Sequence, residues 1–406
     1  MKMKEIKGGV TAAKGFTASG IYCGIRKNKE KKDLALIKSE VMCSAAAVYT
    51  TNKVKGAPIA VTKENIKDGK AIAAICNSGN ANTCNADGVE VAETTCKALA
   101  KELNISEKDI IIASTGVIGQ PLNVKAITDG IPSLVKSLSV EGGEDASWAI
   151  LTTDLKPKEA AVEFEVGGKL CRMGGIAKGS GMINPNMATM LVFITGDVAV
   201  SPEMIKVAVK EAADESFNMI SVDGDTSTND MLSVMTNGMA GNAEITEKNE
   251  DYKVFLEGLT FLCKKLSQMI ARDGEGATKL LEGYVYNAPD KETARIAAKS
   301  VISSNLTKAA MFGADANWGR VLCALGYAKC ELDVNKIDIA FKSEAGEITV
   351  CKNGAGVDFS EEKAKEILLK DHIIIDINLN DGTEEATAFG CDLTYEYVRI
   401  NGDYRT

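Results

Sequence analysis

Thr189 ends the run Lys178-Gly-Ser-Gly-Met-Ile-Asn-Pro-Asn-Met-Ala-Thr189, and it is the residue of this chain best placed to become a catalyst. A threonine hydroxyl is a weak nucleophile until a base stands beside it. A cut between Ala188 and Thr189 would supply that base, because it frees an α-amine at covalent distance from the hydroxyl. The Gly, Ser, Asn and Pro residues ahead of the junction read as a tight turn in which a strained peptide bond could be held. Thr189-Met-Leu-Val-Phe-Ile194 reads as a buried strand with β-branched members. A glycine-rich turn entering a core strand would have the same composition, so these residues alone leave a structural role open.

Other segments carry groups that could serve a reaction at such a nucleophile. Ile111-Ile-Ala runs into Ser114-Thr115-Gly116; a strand ending in Thr-Gly can offer a hydroxyl and a backbone N–H, the two donors that an oxyanion needs. Glu275 lies between two glycines in what reads as a surface turn, from which its carboxylate could reach a substrate amine. Thr152 and Thr153 suit helix caps as well as ligands. Asn77-Ser-Gly-Asn-Ala-Asn-Thr83 suits either a binding turn or a structural turn built on asparagine hydrogen bonds. Asp223 to Asp230 is the most polar stretch, but it lacks the twelve-residue calcium-loop pattern, so no metal is assigned to it. In Phe312 to Arg320, Trp318 and Arg320 suit either ligand contact or a core position beside an ion pair, and no phosphate-loop ending follows them.

Composition narrows the chemistry. The chain has 406 residues, enough for two or three domains, with 45% hydrophobic and 25% charged residues. A formal net charge of -9 gives no general attraction to nucleic acid, and the basic run from Lys27 to Lys32 reads as a solvated face. The single histidine, His372, precedes a strand as a partly exposed edge residue, which rules out a histidine triad and a multi-histidine metal site. Eleven cysteines without a CxxC pair, and no secretory segment, point to reduced thiols in a cytoplasmic protein. No apolar stretch reaches membrane-spanning length.

The elements that must position these groups follow from local pattern. Ile59–Thr62, Ala71–Cys76, Ile111–Ala113 and Ala161–Val166 read as strands; 89–102, 125–138 and a patch near Trp148 read as helices. Ser201-Pro202-Glu203 predicts a helix start, with a capping hydroxyl and a proline at the first position. Phe255–Ile270 has the spacing of a helix with a broad buried face. A change of rhythm after Val285 sets a boundary between a main catalytic region, 1–284, and a carboxy-terminal α+β region, 285–406. The latter carries strands at 337–341, 347–351 and 373–379 and a helix at 360–369.

Taken together, the run ending at Thr189, Gly8-Gly-Val-Thr-Ala, Ser114-Thr-Gly-Val-Ile-Gly-Gln-Pro-Leu122, Asp223 to Asp230, Glu275-Gly-Ala-Thr-Lys279 and Phe312 to Arg320 resemble, in the same order, the ornithine acetyltransferase family, also called glutamate N-acetyltransferase. That resemblance implies an α/β fold of layered sheets and helices, similar to the self-processing aminopeptidase group, with a smaller carboxy-terminal domain. It implies self-cleavage between Ala188 and Thr189 into chains 1–188 and 189–406 that stay together, and an α2β2 assembly. Acetyl would pass from N-acetylornithine to Thr189 and then to glutamate, giving ornithine and N-acetylglutamate. Thr115 and Gly116 match the family's oxyanion pair, and Thr152, Lys178, Thr189, Glu275, Asn401 and Thr406 match its substrate-binding positions.

No bound cofactor is implied, although some members of the family also take acetyl-CoA as a co-substrate, and bifunctional use is the expectation here. The alternatives are an N-terminal-threonine amidase or aminopeptidase, which would release the acyl group to water, a monofunctional ornithine acetyltransferase, and an uncut interaction protein. Neither nucleic acid nor membrane is expected as a partner.

Overall fold

The computed structural model describes residues 3–184 and 190–403. Ala188, Thr189 and Thr406 therefore lie outside the described residues. Two compact units form: Met1–Gly179, Pro185–Asn218 and Thr226–Leu266 make the first, and Ser180–Asn184, Met219–Asp225 and Ser267–Thr406 the second.

In chain order the strands up to the polar loop are β1 (Lys4–Ile6), β2 (Phe16–Ile21), β3 (Leu34–Tyr49), β4 (Lys70–Asn77), β5 (Ile110–Ser114), β6 (Lys158–Val166), β7 (Lys169–Lys178) and β8 (Leu191–Gly196). Then come β9 (Ile220–Ser221), in the second unit, and β10 (Met231–Thr236). Among the described residues the first unit holds a nine-stranded mixed sheet ordered β1-β6-β7-β8-β10-β3-β4-β5, with β2 also paired to β3. β8 is buried at every residue, as its run Leu-Val-Phe-Ile-Thr-Gly requires of a strand covered on both faces. It pairs antiparallel with β7 and parallel with β10, which sets Lys178, Leu191 and Met231 side by side at one end of the sheet.

The helices of this region are α1 (Ala57–Asn65), α2 (Gly88–Leu103), α3 (Val124–Lys136), α4 (Gly143–Ala149), α5 (Pro202–Asp214) and α6 (Glu250–Arg272). Ser201 caps α5 as its spacing predicts, accepting the Met204 N–H at 3.4 Å. Ile59–Thr62 is not a strand but the middle of α1. Its β-branched residues suggested a strand, yet Pro58 starts a helix and burial of Pro58, Val61, Thr62 and Asn65 follows the helical period. The Thr62 hydroxyl then donates to the Ile112 carbonyl at 2.7 Å and accepts the Ile112 N–H at 2.8 Å, so α1 satisfies backbone groups along the free side of the edge strand β5.

The second unit adds β11 (Leu280–Ala288), α7 (Lys291–Ser303), α8 (Asn305–Phe312), α9 (Trp318–Gly326), β12 (Asp338–Ser343), β13 (Gly346–Lys352), β14 (Ala355–Gly356), α10 (Glu361–Leu368), β15 (His372–Asn378), β16 (Glu384–Cys391) and α11 (Tyr395–Asp403). Its sheet runs β14-β13-β12-β15-β11-β16-β9. Ala294, Ala298, Val301 and Ile302 of α7 pack into one core with Leu281, Ile339, Phe341, Ile373 and Ile375 from the strands. The boundary expected at 284/285 falls inside β11, which pairs with β15 and β16 on its two sides, so the unit has to include all of that strand and starts at Ser267 in this part of the chain. His372 opens β15, which lies between β12 and β11 and is not an edge strand; its Nε2 is 2.9 Å from the Glu282 carboxylate.

Candidate active site

In the first unit, β4 and β5 run parallel and both end in side chains that hydrogen-bond. Asn77 Nδ2 donates to the Ser114 hydroxyl at 2.7 Å, and its Oδ1 accepts the Asn80 N–H at 3.1 Å. The Thr115 N–H is taken by the Asn77 carbonyl at 2.9 Å. Thr115 is therefore left with its hydroxyl as the free donor, and neither that hydroxyl nor the Gly116 N–H has a partner among the described residues. Gly116 has φ +125°, and a Cβ there would stand 2.7 to 2.9 Å from backbone atoms of Gly79 and Asn80. Only glycine fits this position.

Asn229 holds this corner in place. Its Nδ2 donates to the Ala81 and Ser114 carbonyls at 2.6 and 2.9 Å, and its Oδ1 accepts the Thr83 and Thr228 hydroxyls at 2.6 Å each. That uses every donor and acceptor of the amide, which ties the β5 end and the 77–83 turn to the start of β10. The residue just ahead of β8 is anchored too, since the Met231 N–H donates to the Met190 carbonyl at 2.8 Å. Sequence reading took the 223–230 stretch as polar packing or a turn and did not single out Asn229. The asparagine-rich turn at 77–83 is the structural turn that its amides suggested.

Thr152 and Lys178 meet around a residue that sequence reading did not nominate. Asp154 is buried and ion-paired with buried Lys158 at 2.6 Å; it also accepts the Gly179 N–H at 2.7 Å and the Thr152 N–H at 3.1 Å. Burial alone would raise the Asp154 carboxyl, but the charges of Lys158 and Lys178 outweigh it and hold the group well below the usual carboxylate range. Thr152 thus follows α4 as part of a carboxylate-centred turn and caps no helix. Lys178 is only 8% exposed at the end of β7, yet its ammonium has no hydrogen-bond or ion-pair partner among the described residues. Asp230 is buried as well, and its Oδ2 has no partner among the described residues. Burial pushes its pKa well above the usual carboxylate range.

In the second unit, Glu275 is 9% exposed, so the expected surface turn is in fact a buried one. The Glu275 N–H donates to the Ser180 carbonyl at 2.9 Å, and the Ser180 hydroxyl donates to the Asp273 carbonyl at 2.7 Å. A Cβ on Gly181 would lie 2.4 to 2.6 Å from the Glu275 carboxyl group, so the chain passes directly over it. Asn401 on α11 donates Nδ2 to Glu275 Oε2 at 2.8 Å, which brings two of the predicted residues together. Asp223 accepts the Met182 and Ile183 N–H groups at 2.6 and 2.9 Å and faces the Tyr397 hydroxyl at 3.3 Å. Those backbone donors account for the role of Asp223 without a cation. Trp318 begins α9, half-buried against Gly356, and Arg320 donates to the Leu306 carbonyl, so both are structural within this unit.

Several buried thiols are poorly suited to act as nucleophiles. All eleven cysteines are free, and burial pushes the Cys76, Cys96 and Cys171 thiols up to about 12. Among the described residues no group of three or more His, Cys, Asp or Glu could hold a metal ion, and no helix is long and apolar enough to cross a membrane.

Comparison with known proteins gives this arrangement a context. The model of the ArgJ family matches residues 17–406. The arginine biosynthesis bifunctional protein ArgJ of Caldanaerobacter subterraneus subsp. tengcongensis is 49% identical over 405 residues, covering 100% of both chains. ArgJ 1 of Clostridium acetobutylicum, also described as an arginine biosynthesis bifunctional protein, is 48% identical, covering 98% of this chain and 97% of the relative. A crystal structure of ArgJ from Bacillus halodurans superposes with a TM-score of 0.50 at 44% identity, covering 52% of this chain and 98% of the solved one.

Proposed function

Because the chain belongs to the ArgJ family, we propose that it transfers acetyl from N2-acetyl-L-ornithine to L-glutamate through an acetyl ester on Thr189, with acetyl-CoA as a second donor. The observation that carries this reading is the Thr115–Gly116 corner: a hydroxyl and an N–H left without partners at a position that admits only glycine. The reading starts with self-cleavage. The Thr189 hydroxyl attacks the Ala188 carbonyl, the peptide C–N bond gives way to an ester, and water hydrolyses that ester to leave a free Thr189 amine. The half-length Bacillus halodurans chain, matched almost to its full extent, is close in size to the 189–406 product and supports such processing.

In transfer, the Thr189 oxygen attacks the acetyl carbonyl as its proton passes to the α-amine. The oxyanion is met by the Thr115 hydroxyl and the Gly116 N–H. Collapse breaks the amide C–N bond, and the departing ornithine nitrogen takes the proton back. The glutamate α-amine then attacks the ester carbonyl and gives up a proton to the Thr189 amine; collapse breaks the ester C–O bond, the Thr189 oxygen takes a proton back from the α-ammonium, and N-acetylglutamate leaves. Lys178, buried with no hydrogen-bond or ion-pair partner among the described residues, suits a substrate carboxylate; Glu275, held by the neutral amide of Asn401, suits a substrate ammonium. Thr152 orients the bound donor, and Thr406 completes the substrate-binding set. The processed halves assemble as α2β2 in the cytoplasm.

Thr189→Ala tests this directly. The variant should stay one uncut chain and lose at least about 10⁴-fold in transfer. A cut and active variant would remove Thr189 from the mechanism, whereas acetyl appearing as free acetate instead of N-acetylglutamate would favour a hydrolase.

A further inference from the structure

The first unit contains a further recognition surface that extends outward from one of the acetyl-transfer residues, Thr152. A cavity of about 200 Å³ is lined by Arg26, Glu30, Lys31, Lys32 and Trp148 and ends on Thr152 and Asp154. Although the chain is acidic overall, residues 26–32 carry Arg26, Lys27, Lys29, Lys31 and Lys32 against the single carboxylate of Glu30. Sequence reading took this run for a solvated face. Lys27, Lys29, Glu30 and Lys31 are exposed, as that reading expects, and the run is anchored at its end by buried Asp33, whose carboxylate accepts the Cys23, Ile25 and Arg26 N–H groups at 2.7, 2.9 and 3.0 Å. These backbone donors hold the Asp33 carboxylate inside the fold, and the part of the run that lines the cavity is Arg26, Lys31 and Lys32 with the carboxylate of Glu30.

The side chains divide the work. The Arg26 guanidinium donates to the Ser78 and Leu151 carbonyls and pins the loop to the cavity wall, while Lys32 pairs with Asp145. Lys31 has no ion-pair partner among the described residues. Trp148 on α4 is 43% exposed, a flat apolar plane at the cavity rim. Cations beside an open aromatic plane suit a molecule that joins phosphates to a planar base. N-acetylornithine has neither phosphate nor ring, and nothing in it would use Trp148.

Position supplies the remaining argument. The inner wall is Thr152 and Asp154, and Asp154 accepts the Gly179 N–H, next in the chain to Lys178. A ligand seated here therefore reaches the acetyl-transfer residues along one continuous hydrogen-bonded wall. The volume falls below the roughly 300–1,000 Å³ of pockets that enclose a whole drug-sized ligand, so one end of a long molecule is the better occupant.

We propose that this cavity binds the adenine- and phosphate-bearing end of coenzyme A and is the docking site of the thioester donor. This rests on the reading of acetyl-CoA as a second donor. The test compares processed wild-type protein with Lys31→Glu and Trp148→Ala, using acetyl-CoA and N-acetylornithine in turn with glutamate as acceptor, alongside calorimetric titration with coenzyme A.

Each variant should raise KM for acetyl-CoA about tenfold and weaken coenzyme A binding to match, with N-acetylornithine kinetics changed by less than about twofold. Unchanged acetyl-CoA kinetics, or an equal loss with both donors, would overturn the assignment. If the wild type turns over no acetyl-CoA, the two-donor reading fails by itself and the titration decides the cavity. Coenzyme A binding that is lost in both variants would sustain it, and binding that is absent or indifferent to them would overturn it.

Discussion

Asp154 and Glu275 are both buried carboxylates, yet the chain treats their charges in opposite ways. Asp154 has a dedicated cation in Lys158, plus two backbone donors, so its charge is spent inside the fold. Glu275 has only the neutral amide of Asn401 on its carboxylate and no cation among the described residues. The two buried lysines of the first unit divide in the same way, Lys158 being paired and Lys178 unpaired. Burial of a charge is costly unless it is paired. A charge kept buried without its partner therefore marks the place where a ligand of opposite charge completes the structure, and a fully paired one marks the frame that holds that place.

The largest effect is expected at the Thr115–Gly116 corner, the oxyanion site of the proposed reaction. Gly116→Ala forces a Cβ into the Gly79–Asn80 backbone and displaces the N–H donor, so transfer should fall by at least about 10³-fold in steady-state assays. Next, Lys158→Met leaves Asp154 buried and unpaired and should lower unfolding stability by about 3–5 kcal/mol in denaturant titration. Lys178→Met should behave in the opposite way. It removes an unpaired charge, so stability should change by no more than about 1 kcal/mol while KM for glutamate rises about tenfold or more. If the two lysines give the same stability loss, the distinction between frame and ligand site is wrong.

Smaller effects sharpen the contrast between the carboxylates. Glu275→Gln should keep the fold and the Asn401 contact but weaken N-acetylornithine use about tenfold. Asp154→Asn should destabilise the protein in a pH-dependent way. The folded pKa of Asp154 is depressed, so its contribution is present above the ordinary aspartate value and lost as pH falls through the folded one. The stability gap between wild type and Asp154→Asn, followed by thermal melts, should therefore narrow on acidification below about pH 4. A gap that widened in acid would contradict the assigned sign.

Much of this frame was legible in the sequence, for local reasons. Ser201-Pro202 capped a helix as its chemistry requires, and the helices at 88–103, 124–136 and 250–272 followed their apolar spacing. What stayed hidden depended on contacts distant in sequence. β-branched Ile59 and Val61 suggested a strand because the helix start at Pro58 was outweighed by residue type. Glu275 read as exposed because the chain that covers it, at Gly181, lies far away in sequence. Asp154 and Asn229 looked like turn residues. Only the partners brought by folding, Lys158 and Gly179 for one and Thr83, Ala81 and Ser114 for the other, show them to be the joints of the candidate site. The Thr-Thr-Asp and Asn-Asp motifs were visible signals, but no local rule separated them from ordinary turns.

The central claim is that Thr189 becomes a chain terminus and then carries the acetyl group. Purified protein should be incubated with labelled N-acetylornithine and unlabelled glutamate while intact and acyl-enzyme masses are recorded. The account predicts two chains that divide between Ala188 and Thr189, transient label on the Thr189-bearing chain, and labelled N-acetylglutamate as product. A single uncut chain that nevertheless makes N-acetylglutamate, or label that reaches glutamate without passing through that chain, would contradict it.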